Sequence, residues 1–160
     1  MRKILLVLVC TISAIEMYAQ TSDAETEAVL NLLGVQKKEA IGKLVSVSGK
    51  DSVAFWKLYN EYQKENMLVA KSRYQLYEQT AFAYGNMTDK VADSLARKYF
   101  DNRLIQEKSL EEYYTKIKNA TNAVVAFEFF QAEVYILNQV RNHIMQQIPT
   151  YGQFIIATKK

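Results

Sequence analysis

The sequence predicts an all-α protein, with three long antiparallel helices in an elongated bundle and two short helices ahead of them. Three observations predict it. Chain breakers are scarce: five Gly and one Pro, Pro149, in 160 residues, whereas a sheet needs frequent turn signals. Apolar residues recur at three- and four-residue spacing, and no stretch sustains the alternation of a half-buried strand.

The chain opens with Arg2 and Lys3, an apolar run over 4–15, and then Tyr18-Ala19-Gln20. That is the layout of a secretory signal peptide. The run is short for a membrane span, which needs about 20 residues. The expected organisation is a leader over 1–19 cut near Ala19, one helical domain over 20–149, and a tail over 150–160; an uncleaved anchor is the alternative. Cys10, the one cysteine, falls in the leader. Val9 stands before it, where a lipidation signal wants a small residue. The mature chain therefore has no thiol for a disulfide or a thiolate metal site. Export to the periplasm is expected, with no membrane span left in the mature chain.

The first short helix is expected over 24–33, with Ala28, Val29, Leu32 and Leu33 apolar and Gly34 at its exit. The second covers 36–47 and carries Ala40, Ile41, Leu44 and Val45. The first long helix begins near Ser48, where Asp51 three residues on resembles a capping box. It runs to Tyr84, about 54 Å of helix, and Gly85 ends it. Its apolar stripe is Phe55, Leu58, Tyr59, Tyr62, Val69, Leu76, Tyr77 and Tyr84. The second long helix opens at Thr88, a good cap, with Asp89 near the positive helix end. Its stripe is Val91, Ala92, Leu95, Tyr99, Leu110, Tyr113 and Ile117, and it ends near Lys118. The third starts at Thr121 or Asn122 and stops before Pro149. Ala123, Phe127, Phe130, Val134, Leu137, Ile144 and Ile148 make its main stripe at bundle spacing. The tail, with Tyr151, Phe154, Ile155 and Ile156, either covers one end of the bundle or frays. Short links make consecutive helices antiparallel neighbours.

Two features ask for more than a single core. Trp56, Met67 and Tyr74 form a second apolar edge on the first long helix. Val125, Phe129, Ala132, Ile136 and Val140 lie nearly opposite the main stripe of the third. A helix apolar on two sides is buried twice or meets a partner. Three readings follow: the N-terminal helices cover these faces, the chain forms a homodimer, or the faces bind unfolded or protein partners. In the last reading Trp56, Met67, Tyr74, Phe129 and Ile136 are the candidate partner-binding residues. The other feature is a polar break: Asn66 and Arg73 interrupt the first long helix, and Asn102, Gln106 and Ser109 the second. A hairpin folded about residue 86 sets Asn66 opposite Gln106. A structural polar layer of Asn66, Arg73, Asn102 and Gln106 that fixes register is expected ahead of a ligand pocket.

Catalytic chemistry is hard to find. His143 is the one histidine. Di-iron bundles need two Glu-x-x-His pairs, and Val140 stands where the Glu would precede His143. There is no phosphate-binding Gly-rich loop. The expectation is no enzyme, no metal and no cofactor, with Glu133, which follows Phe129-Phe130-Gln131, as the carboxylate to watch; two carboxylates pointing into one pocket would argue otherwise. Lys plus Arg number 20 and Asp plus Glu 17. With no basic stripe, a nucleic-acid partner is not expected.

Phe55-Trp56-Lys57-Leu58-Tyr59-Asn60-Glu61-Tyr62 resembles the FW-x-x-Y-x-E-Y signature of a group of small exported bacterial helical proteins. Tyr84-Gly85-Asn86-Met87-Thr88-Asp89, Phe129-Phe130-Gln131-Ala132-Glu133 and Ile148-Pro149 follow in the same order, so the resemblance covers roughly 36–149. Some members are loosely labelled sensors of extracytoplasmic-function sigma factors. The group distantly resembles the Spy/CpxP periplasmic stress proteins, whose L-T-x-x-Q motif has degenerate counterparts in Val47-Ser48-Gly49-Lys50-Asp51 and Met87-Thr88-Asp89-Lys90-Val91. Neither counterpart carries the Gln. The Tyr18-Ala19-Gln20 junction resembles signal ends common in Bacteroidetes. The resemblance implies an envelope-stress role, with client binding or signalling and no cofactor.

Overall fold

A computed structural model describes residues 23–147 and 150–159, with side chains described over 34–142 and 150–159. The expected leader, Cys10 and Pro149 lie outside the described residues, and His143 outside the described side chains. The described residues are all-helical: α1 (Asp23–Leu44), α2 (Gly49–Ala83), α3 (Asp89–Ala120), α4 (Ala123–Gln147) and α5 (Tyr151–Thr158), with a 3-10 turn at Tyr84–Asn86.

The caps follow from the sequence. The Thr88 hydroxyl accepts from Val91 N at the head of α3. Asn122 Oδ1 accepts from Val124 N and Val125 N at the head of α4. Ser48 occupies the cap of α2 without a side-chain hydrogen bond. Gly49, with φ 58°, makes the left-handed step into that helix, a conformation costly for any residue with a Cβ.

The expected pair of short N-terminal helices is one helix, α1. Gly34 does not end it. Glycine inside a helix costs roughly 1 kcal/mol, and here a tertiary contact outweighs that. The Gln63 amide donates to Gly34 O at 2.6 Å. A Cβ on Gly34 would stand 2.8 Å from that same nitrogen. The glycine admits a neighbouring helix rather than breaking its own.

Helix α1 is a full structural member. It packs on α2 and α4; α2 packs on α3, and α3 on α4. Four helices thus close a ring at one end of the molecule. Side chains from the diagonal pair α2 and α4 meet inside it. Phe129 stands edge-on to Phe55, Tyr59 and Tyr62, with ring centroids 5.2–6.4 Å apart, a favoured aromatic geometry. Ile41 of α1 and Val45 just after it, Leu110, Tyr113 and Ile117 of α3, and Val125, Ala126, Ala132 and Ile136 of α4 complete this core. Beyond the ring, α2 and α3 continue as an antiparallel hairpin whose buried residues are Leu76, Tyr77, Tyr84 and Leu95. Helix α5 rests on the hairpin turn, with Tyr151 and Phe154 packed against Tyr84.

This arrangement reverses the faces of α4. The expected second face, Val125, Phe129, Ala132 and Ile136, is the buried one. From the expected main stripe, Phe127 is 54% exposed, and Phe130 and Val134 are only partly buried. Periodicity finds two apolar faces on this helix but cannot rank them; the ranking depends on α1, which packs on α4 and brings Ile41, with Val45 just beyond its end, into the same core as the second face.

Candidate functional site

Inside the ring sits a buried ionic cluster. Glu133 is fully buried. Its Oε2 accepts from the Tyr62 hydroxyl at 2.8 Å and pairs with Lys37 Nζ at 2.7 Å. Lys37 also lies 5.2 Å from the centre of the Tyr62 ring. Both donors converge on one oxygen, and Oε1 has no hydrogen-bond partner. Tyr59 donates to Gln63 Oε1 at 2.7 Å, so the chain of contacts runs on to Gly34. Burial, with the Glu133 charge second, raises the Tyr59 and Tyr62 hydroxyls well above the ordinary tyrosine range. Both therefore keep their protons at neutral pH. The Glu133 carboxylate is buried, and its two partners fasten α1, α2 and α4 together. Among the described residues Glu133 is the one buried carboxylate, and no group of three or more His, Cys, Asp or Glu is placed to hold a metal ion.

A separate polar layer crosses the α2–α3 interface. Asn66 donates to Ser109 Oγ at 3.2 Å and to Tyr62 O at 3.1 Å. Arg73 Nε donates to Asn102 Oδ1 at 2.6 Å, and Asn102 Nδ2 donates to Val69 O at 3.0 Å. Asn66 and Asn102 are buried. The expected facing of Asn66 and Gln106 is replaced by Asn66 and Ser109, almost one helical turn further along α3; Gln106 is half-buried. The layer separates the ring core from the small core of the hairpin.

The candidate partner-binding residues divide. Phe129 and Ile136 belong to the ring core and offer nothing to a partner. Trp56 is half-buried against Phe55 and Tyr59 and lies under α1, where Lys38 Nζ stands 5.7 Å from its ring. Met67 and Tyr74 are also half-buried. The exposed apolar side chains are others: Leu68 at 73%, Phe100 at 71%, Phe82, Leu104 and Ile105 on the hairpin, and Val124, Phe127 and Tyr135 on α4. Apart from Phe127, which the sequence sets on the main stripe of α4, they were readable only as apolar residues off the main stripes.

Two open grooves flank the hairpin. One, of about 500 Å³, lies between Leu68, Leu76, Asn102 and Ile105. The other, of about 670 Å³, is lined by Arg73, Tyr77, Tyr84, Tyr99 and, from α5, Tyr151. No helix among the described residues is long and apolar enough to cross a membrane. In comparisons with known proteins, the chain matches no family model, no curated protein and no solved structure.

Proposed function

We propose that this chain is an exported, non-enzymatic helical protein of the periplasm. Its three long helices form an elongated support that holds unfolded or apolar polypeptide, in envelope stress or signalling, in the manner of the Spy/CpxP proteins it distantly resembles. The observation that carries this reading is the exposed apolar surface of the hairpin. Leu68 and Ile105 border the 500 Å³ groove, and Phe100 and Leu104 lie one turn apart on α3. A groove rimmed by exposed Leu68 and Ile105 can take an apolar segment, and Phe100 and Leu104 add exposed apolar area on the same hairpin. The partner surface in this reading lies outside the ring, on residues whose removal leaves both cores intact.

The test is suppression of aggregation of an unfolded client protein by the wild type and by a Leu68→Ser/Phe100→Ser/Ile105→Ser variant. The wild type is expected to suppress, and the variant to lose at least about fivefold in potency with its melting temperature little changed, as surface substitutions usually allow. Equal potency of the two, or no suppression by the wild type, overturns the reading.

A second reading has its own observation. Phe127, Phe130 and Val134 run along the outer side of α4 at helical spacing, with the Phe127 and Phe130 rings 6.3 Å apart. That strip suits a homodimer and a structural or interaction role. A mass that doubles with concentration in the wild type but not in Phe127→Ser supports it; a concentration-independent monomer removes it.

A further inference from the structure

The groove between α2, α3 and α5 differs from the rest of the surface, because it combines a fixed cation with aromatic walls. Arg73 lines it together with Tyr77, Tyr84, Tyr99 and Tyr151. The guanidinium is oriented before any ligand arrives. Its Nε is held by Asn102 Oδ1, and Asn102 is held by Val69 O. The Tyr99 ring centre lies 5.9 Å from the guanidinium carbon, and the Tyr99 hydroxyl is fixed by Thr80 at 2.9 Å. With the Nε edge taken, the remaining donors are the two terminal nitrogens. One of them, Nη2, is buried and has no acceptor from the protein. A guanidinium with an unmet buried donor and aromatic surroundings matches a carboxylate joined to an apolar body. Asp89 also lines the groove. It lies thirteen residues from Asn102 along α3, roughly 20 Å of helix at 1.5 Å per residue. The groove is therefore polarised, cationic at the polar layer and anionic at the hairpin turn, with the tyrosines between. Its volume is that of a small-ligand site.

We propose that this groove binds an apolar carboxylate, with the acid group at the Arg73 guanidinium and the apolar part along Tyr77, Tyr99 and Tyr84. The acid is either a free alkyl carboxylate or the terminal carboxylate of a peptide. This site is distinct from the exposed apolar residues proposed to hold polypeptide, and its loss leaves aggregation suppression unchanged.

Calorimetric titration of the full chain with decanoate, decanol, a hexapeptide ending in leucine as the free acid, and the same peptide as its amide tests the proposal. At least one acid is expected to bind at least tenfold more tightly than its neutral counterpart. Preference for decanoate assigns a free acid, and preference for the peptide acid a chain terminus; either supports the site. Arg73→Gln is expected to abolish the preference, and Arg73→Lys, which keeps the charge without the guanidinium, to leave a weaker one. Because Arg73→Gln also touches the polar layer, its melting temperature is measured alongside. The wild-type comparison of acid with neutral probe stands whether or not that variant folds. Equal binding of acid and neutral probes, no binding of either acid, or full acid preference in a folded Arg73→Gln overturns the proposal.

Discussion

Glu133 is the residue on which the ring depends most directly. Breaking a buried ion pair by removing one partner typically costs about 3–5 kcal/mol, while replacing both partners with apolar groups is near neutral or stabilising. Lys37 keeps some solvent contact, with 15% of its side chain exposed, so the low end of that range applies. Lys37→Met is expected to lower stability by about 3 kcal/mol, and Lys37→Met/Glu133→Leu to recover most of the loss in a denaturant titration. A double variant whose loss equals the sum of the single losses would show the two groups to be uncoupled. Tyr62 contributes to the alkaline pH dependence. Burial and Glu133 raise its hydroxyl above the ordinary value near 10. Above that pH the unfolded chain releases this proton while the folded chain keeps it. The unfolded state then binds fewer protons, and stability falls as pH rises. The contribution of Tyr62 is fully present below pH 10 and declines above it, by up to about 1.4 kcal/mol per pH unit. Tyr62→Phe is expected to flatten the alkaline limb of a stability–pH curve by about that slope; an unchanged limb would contradict the assignment.

The same dependence on partners governs the helices. Gly34 reads as a helix end in one dimension and serves as a contact point in three. Gly34→Ala is expected to gain little or nothing from the better helix propensity of alanine, because its Cβ moves the Gln63 amide, the end of a flexible side chain, off Gly34 O. Gly42→Ala is the control. Its Cβ would meet only the Trp56 ring at 3.6 Å, an ordinary contact, and a gain of about 0.5–1 kcal/mol is expected. The thermal melt should rise for Gly42→Ala and stay nearly level for Gly34→Ala, and an equal gain in both would remove the close-approach argument. Helices α2 and α3 were legible because their caps, breakers and main stripes agree: Thr88, Gly85, and the run from Phe55 to Tyr62. The inward face of α4 was not, since Phe127 and Phe129 are equally apolar and only the position of α1 chooses between them. Of the candidate site, the break at Asn66, Arg73 and Asn102 was visible as polar residues within an apolar stripe. The partners of Glu133 were not, because Lys37 and Tyr62 lie 96 and 71 positions away in sequence and meet it only through the closed ring.

At the scale of the molecule these pieces make two regions of unequal strength. The ring buries aromatic and aliphatic side chains from four helices, together with the ion pair. The hairpin end has two helices, four buried apolar residues and a groove on either side. Helix α5 has no buried residue of its own; its capping box of Thr150 and Gln153 stabilises the helix but does not dock it, and the Tyr84 contacts are what attach it. Local opening costs least where few apolar contacts must be broken. Hydrogen exchange followed by mass spectrometry is therefore expected to rank the chain in three steps: α5 first, then the hairpin over 73–99, and last the ring segments around Phe55 to Tyr62, Leu110 to Ile117 and Val125 to Ile136. Tyr84→Ala should speed exchange in α5 without altering the ring. A hairpin end as protected as the ring would mean that the polar layer transmits stability rather than dividing it, and the view of the open grooves as the yielding, partner-accepting part of the fold would fall with that result.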